Sequence, residues 1–262
     1  MAGVGIPVVH DTVAAARAAA RAAGEIALRY YRGGVAVTIK PDQTPVTQAD
    51  REAEVAVTEI LRRAYPDIGF LGEEFGAQGP TDRRWIIDPI DGTRNFIRGI
   101  PIWAVLIGLE ERGEITAGVV FNPVSGEEYW ARKGDGAYAN GARIQVSACA
   151  RMAEAFVLHS DIKLVRRTTY WDGLVRLVDA GARTRGFGDY AGYCVVAQGK
   201  GEIYAEVDLK PWDVAPMKIL IEEAGGRLTD FAGRDDIYTG SVLATNGTLH
   251  AEALRLLGGE TP

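Results

Sequence analysis

The chain has 262 residues, 47% of them hydrophobic, enough for a sizeable core in one large domain or two intimate subdomains. Its 29 basic and 35 acidic side chains leave a formal charge of −6 with no basic run, which argues against non-specific nucleic-acid binding. No stretch approaches the ~20 apolar residues of a membrane span, and MAGVGIPVVHD lacks a basic leader region, so the expectation is a cytoplasmic protein with no membrane partner. Cys149 and Cys194 stand far apart without CxxC spacing and read as free thiols.

Residues 11–31 are Ala-rich and predict a helix, capped by Asp11 or Thr12 and ended at Gly33-Gly34. Arg17, Arg21 and Glu25 are spaced by four and are assigned to its wet face. A strand at 35–40 leads into the proline-containing loop 41–45. Thr47 and Asp50 have capping-box spacing, with Asp in place of Glu, and start a second helix. Ala49, Ala53, Ala56, Val57, Ile60, Leu61 and Ala64 give it a buried stripe. Strands are predicted at 68–71, 85–87, 102–109, 115–121 and 127–132, with a hairpin turn at 111–114. Residues 133–151 read as an irregular seam.

Beyond the seam the rhythm changes. Strands at 155–159, 183–186, 203–206, 227–230 and 241–244 alternate with helices at 168–179, 190–198, 214–224 and 248–257. The whole predicts a layered α/β fold, with an antiparallel N-terminal sheet and a mixed C-terminal sheet. Subdomains of 1–148 and 149–262 are expected, the second supplying Asp213.

The chemistry centres on residues 84–98, RWIIDPIDGTRNFIR. Asp88 and Asp91 end a short apolar run, and carboxylates beside a core need a cation or strong donors. Pro89 bends the chain between them, so both acids and the Ile90 carbonyl can face one point. Such oxygen ligands suit Mg²⁺. Gly92 admits close approach to the backbone, and the helical turn opening at Thr93 and Asn95 offers amides to an anion such as phosphate. Read alone, Asp88 and Asp91 would equally serve as caps of a strand-end turn. Glu73 and Glu74 follow a second apolar strand, and Asp213 opens a helix with Pro216 assigned to its first turn. His10, His159 and His250 lie outside every motif.

GEE, WIIDPIDGTRNF and PWDVAPMKILIEEAGG, in that order and spacing, resemble the inositol monophosphatase superfamily of Mg²⁺-dependent phosphatases over nearly the whole chain. The resemblance implies an αβαβα sandwich and a homodimer. It implies two or three Mg²⁺ ions held by Glu73, Asp88, the Ile90 carbonyl, Asp91 and Asp213, with Asp50 completing the metal site. Glu73 and an Asp50–Thr93 pair would orient and deprotonate the attacking water, and the Gly92 and Thr93 amides would hold the phosphate. Lys40 would belong to a mobile loop closing over the site. Attack is expected to be in line on a small phosphate monoester, without a covalent phospho-enzyme; neither CxxxxxR nor DxDx[TV] occurs to supply one.

Within the superfamily, RNFIRGIPIWAVLIGLE and RGFGDYAGYCVVAQGKGEIYAEVDLKPWD resemble histidinol-phosphate phosphatases of histidine biosynthesis. The marks are Arg94, Arg98, Arg185 and the Gly188-Asp189-Tyr190 segment. Asp189 and Glu206 would face the substrate ammonium, and Tyr190 would line the pocket. Asp189 would also serve as a plain helix cap, and Glu206 fits an inositol site as well. An inositol-phosphate or broad sugar-phosphate phosphatase therefore stays open, as, more remotely, does a non-catalytic Mg²⁺ or phosphate binder.

Overall fold

The computed structural model describes residues 11–33, 37–39 and 45–258. Alanines recurring at three and four give α1 (Thr12–Gly33) a narrow buried face of Ala16, Ala19, Ala20, Ala23 and Ala27. Strands β1 (Val37–Ile39) and β2 (Pro45–Thr47) pair antiparallel and lead into α2 (Gln48–Ala64). The predicted capping box starts α2: Thr47 Oγ1 accepts the Ala49 N–H at 3.1 Å, and the Asp50 carboxylate accepts the Thr47 N–H at 2.8 Å.

The next strands are β3 (Gly69–Gly72), β4 (Gly76–Gln78) and β5 (Arg83–Asp91). A short turn α3 (Thr93–Phe96) separates them from β6 (Ala104–Glu111), β7 (Glu114–Asn122), β8 (Glu127–Arg132), β9 (Gly136–Ala139) and β10 (Ala142–Ile144). They form one eight-stranded sheet in the order β10-β9-β8-β7-β6-β5-β3-β4. Every neighbour is antiparallel except β3 with β5, so the sheet is mixed by one pair.

The second half contributes β11 (Phe156–His159), α4 (Ile162–Val165), α5 (Trp171–Ala180), β12 (Arg183–Gly186) and α6 (Asp189–Ala197). It continues with β13 (Ile203–Val207), α7 (Pro211–Glu223), β14 (Arg227–Thr229), β15 (Ser241–Thr245) and α8 (His250–Leu257). Its sheet runs β12-β11-β13-β15-β14, with β11 parallel to both neighbours and β15 antiparallel to both of its own. Helices α1 and α2 cover one face of the first sheet, α6 and α7 lie between the sheets, and α5 and α8 cover the far face of the second. The result is the expected αβαβα layering. Among the described residues no helix is long and apolar enough to cross a membrane, and Cys149 and Cys194 are free thiols.

Three local expectations change. The 133–151 seam contains the β9–β10 hairpin, turned at Asn140 and Gly141 with φ of 49° and 82°; Asn-Gly is the usual signature of such a turn. Arg17 and Arg21 do not face water alone. Both grip the buried Glu128 of β8, at 2.7 and 2.8 Å, and hold its carboxyl below the ordinary range against its burial. Helix α7 begins at Pro211, so Pro216 lies in its second turn, where its missing N–H leaves an i−4 carbonyl without its helical partner.

Glycines seat α7. Gly108 of β6 and Gly118 of β7 are register partners. A Cβ on Gly108 would lie 2.8 Å from Ala215 Cβ, and one on Gly118 would lie 2.6 Å from Ile219 Cγ2 and 2.8 Å from Pro216 O. The paired bare backbones make a trough for the helix that carries Asp213. Filling it with Gly118→Ala should lift α7 and destabilise the fold by about 1–3 kcal/mol. An unchanged urea midpoint would show that α7 is not seated by this trough.

Candidate active site

Strand β5 runs through Pro89 to Asp91, past the predicted end at residue 87, and its register with β6 shifts between Asp88 and Asp91. Proline gives no N–H to the ladder and is accommodated at such irregularities. The Ile90 N–H turns inward and donates to Asp88 Oδ1 at 2.9 Å, while the Ile90 side chain packs with Ala27, Ala49, Phe96 and Trp103. Gly92 follows at φ 83°, where a Cβ would lie 2.9 Å from Ile102 O and 3.3 Å from Asp189 Oδ2. Glycine is therefore required both by conformation and by space.

Asp213, in the first turn of α7, completes a cluster. One carboxylate oxygen each from Asp88, Asp91 and Asp213 lies within 4.8 Å of the others. Burial, together with Glu73, Asp91 and Asp213 nearby, raises the Asp88 carboxyl well above the usual range. Burial with Asp189 and Asp213 does the same to Asp91. Asp213 is pushed up to about 7, mainly by burial, against the Lys210 N–H that its Oδ2 accepts at 2.8 Å. Three acids that repel one another, offering only oxygen, fit a hard divalent cation.

The structure distributes the other expected residues unevenly. The Glu73 N–H donates to Ile87 O at 3.1 Å, tying that acid's backbone beside Asp88. The Ile90 carbonyl accepts Thr93 Oγ1 at 3.0 Å. Asp50 is buried and pushed up to about 7 by that burial, but its carboxylate holds Thr47 through both N–H and Oγ1. The expected Asp50–Thr93 pair is thus replaced by two local contacts, because Thr47 lies in the capping turn and Thr93 beside Ile90. Lys40 lies outside the described residues.

Among the specificity candidates, Asp189 is near enough to the cluster to raise Asp91. It has φ 56° and accepts Asn95 Nδ2 at 2.8 Å, and burial pushes it up to about 6. Its side chain makes no helix cap. Glu206, on β13, is buried and raised well above the usual range by burial and by Asp189. Tyr190 corrects its expectation. Its ring is in the core, with Asn122 Nδ2 donating to its hydroxyl at 2.6 Å. Its contribution is the backbone N–H, which Asp91 Oδ2 accepts at 2.7 Å, so the start of α6 serves the cluster. Arg185 sits on the exposed edge strand β12, donating to Thr184 O, with no ion pair among the described residues. Arg94 and Arg98 are exposed.

Sequence reasoning missed Glu54 and the side-chain role of Asn95. Glu54 is buried on α2 and pushed up to about 7 by burial, against the N–H groups of Glu74 and Phe75. Its signal was available: it lies one turn after Asp50, inside the apolar stripe. Asn95 bridges Ile102 O and Asp189 Oδ2, a role invisible without the fold.

In the metal-free protein these acids store repulsion. Asp50, Glu54 and Asp213 titrate near 7 when folded and near 4 when unfolded, so the folded state holds more protons in that interval. Their contribution is fully present below about 4 and is lost as pH rises through 7. Asp91→Asn removes one buried acid and should raise metal-free stability by about 1–3 kcal/mol at pH 8, and by less at pH 5.5. A urea midpoint that falls at pH 8 would mean that Asp91 is not under strain.

The inositol monophosphatase family model matches residues 9–259. A histidinol-phosphatase of Mycobacterium tuberculosis is 42% identical over 255 residues, covering 95% of this chain and 98% of that protein. An inositol-1-monophosphatase of Mesorhizobium japonicum is 36% identical over 254 residues, covering 94% and 93%. The crystal structure of the extragenic suppressor protein suhB from Bartonella henselae superposes with a TM-score of 0.87 at 35% identity, covering 93% of this chain and 97% of that one. With a bulged, diacidic β5, an aspartate from α7 and this breadth of similarity, the chain belongs to the inositol monophosphatase family of phosphatases.

Proposed function

We propose that this chain is a Mg²⁺-dependent phosphomonoesterase whose substrate is L-histidinol phosphate. The observation that carries the reaction class is the Asp88–Asp91–Asp213 cluster beside the Gly92–Thr93 turn, an oxygen-lined cation site next to backbone donors for an anion. Asp88, Asp91 and Asp213, with Glu73 and the Ile90 carbonyl, would hold two or three ions. Bound Mg²⁺ supplies Lewis-acid neutralisation of phosphate charge. The Gly92 and Thr93 amides would orient the phosphate. Glu73 would accept the proton of the attacking water.

The substrate assignment rests on charge. Histidinol phosphate presents an ammonium, and Asp189 is held by Asn95 with its Oδ2 beside Gly92, where such a group would arrive. Glu206 adds a second acid, close enough to Asp189 for that carboxylate to raise its proton affinity. The Mycobacterium tuberculosis histidinol-phosphatase is also more similar to the chain than the Mesorhizobium japonicum inositol-1-monophosphatase, 42% against 36%. That second relative and Glu206, which suits hydroxyl recognition, support the alternative of an inositol or sugar phosphatase.

Initial rates of phosphate release should be higher on histidinol phosphate than on inositol 1-phosphate or fructose 1,6-bisphosphate, and zero in excess EDTA. Faster inositol phosphate hydrolysis would overturn the substrate, and full activity in EDTA would overturn the metal. Asp189→Asn keeps a side chain that tolerates positive φ but removes the charge. It should cut kcat/KM for histidinol phosphate about 10- to 100-fold, the scale of a charged hydrogen bond, and for inositol phosphate much less. Equal losses would make Asp189 structural.

A further inference from the structure

Helix α2 presents two buried acids one turn apart, Asp50 and Glu54, and Glu54 has no place in the proposed reaction. Glu54 is 1% exposed, on the face of α2 turned toward the sheet. Burying a carboxylate is costly unless donors meet it. Here they come from the turn between β3 and β4: Glu54 Oε2 accepts the Glu74 N–H at 2.8 Å, and Oε1 accepts the Phe75 N–H at 3.2 Å. The backbone makes room for the carboxylate. A Cβ on Gly72 would overlap Glu54 Oε1, so glycine at 72 is what lets the acid reach beneath the turn.

The residue between Gly72 and Glu74 is Glu73. Its own N–H is bound to Ile87 O at 3.1 Å, one residue before Asp88. Three consecutive amides, from 73 to 75, are therefore fixed, the first by β5 and the next two by Glu54. The turn lies at the rim of the sheet: Phe75 is 46% exposed, and β4 is a three-residue edge strand. Without Glu54, the Glu74 and Phe75 amides would lose these two acceptors.

We infer that Glu54 is a positioning residue for the cation site. It clamps the 73–75 turn to α2 and so fixes Glu73 relative to Asp88 and Asp50. The inference rests on the proposed Mg²⁺ site, which Glu54 does not itself ligate. Outer groups that orient metal ligands are worth about 10- to 100-fold in metal affinity or activity. Glutamine at 54 keeps the shape but replaces one acceptor with an NH₂ that opposes an N–H.

Glu54→Gln and Gly72→Ala approach the same clamp from its two sides, the second displacing the carboxylate while keeping its charge. Two readouts apply: the Mg²⁺ concentration giving half-maximal thermal stabilisation, and hydrogen exchange at the Glu74 and Phe75 amides. Each variant should speed exchange at those amides and raise half-saturating Mg²⁺ about 10- to 100-fold. The double variant should be little worse than either single one, because both remove one interaction. Should Glu54→Gln fail to fold, Gly72→Ala carries the test alone. Faster exchange with half-saturating Mg²⁺ within twofold of wild type would overturn the inference, as would unchanged exchange. A wild-type protein that Mg²⁺ does not stabilise would instead overturn the cation site itself, leaving the exchange result to report on the clamp.

Discussion

Three carboxylates that repel one another are held within 4.8 Å, and two of them are buried. Nothing apolar gains from that arrangement, and each acid is driven toward its protonated form. The cluster persists because stronger interactions elsewhere leave the backbone no alternative. Buried Trp85, Ile86 and Ile87 secure β5 up to Asp88, and the apolar faces of α7 fix Asp213. The bulge at Pro89–Ile90 then turns both β5 acids toward the same point. A cation bound there would convert this stored repulsion into attraction and so couple ligand binding to stability.

Backbone donors moderate the repulsion without cancelling it. Asp88 receives the Ile90 N–H, Asp91 the Tyr190 N–H, and Asp213 the Lys210 N–H. Each comes from a strand bulge or a helix start, where amides lack regular partners. Each of these main-chain donors engages one oxygen of its acid. Glu54 applies the same logic beneath the 73–75 turn, using a buried acid to organise amides where the cluster uses amides to organise acids.

The sandwich explains why the site draws on both halves of the chain. Helices α6 and α7 lie between the two sheets, and Asp189 and Asp213 in their first turns reach the β5 cluster from the second half. Close packing of α7 depends on Gly108 and Gly118, which have no motif-like appearance in the sequence. Asp189 occupies a left-handed conformation that costs an ordinary residue about 1 kcal/mol or more, held by Asn95 from the turn just after Gly92. The strain lies at Asp189, whose Oδ2 is beside Gly92, and not on β5.

The sequence by itself determined the local elements and the donor set. The Thr47–Asp50 spacing, the alanine stripe of α1 and the DPIDGT turn each act within a few residues, where propensity and sterics decide. Only the tertiary structure decided which groups meet. It moved Tyr190 from an expected pocket wall into the core while giving its N–H to Asp91. It turned Arg17 and Arg21 onto Glu128 and left Arg185 at an open edge. It bonded Asp50 to Thr47 and not to Thr93, and set Glu54 under the turn of Glu73. These outcomes depend on how the layers close over one another. Closure is set by the summed burial of distant apolar faces and by glycines that admit a helix, quantities that no short window of sequence contains.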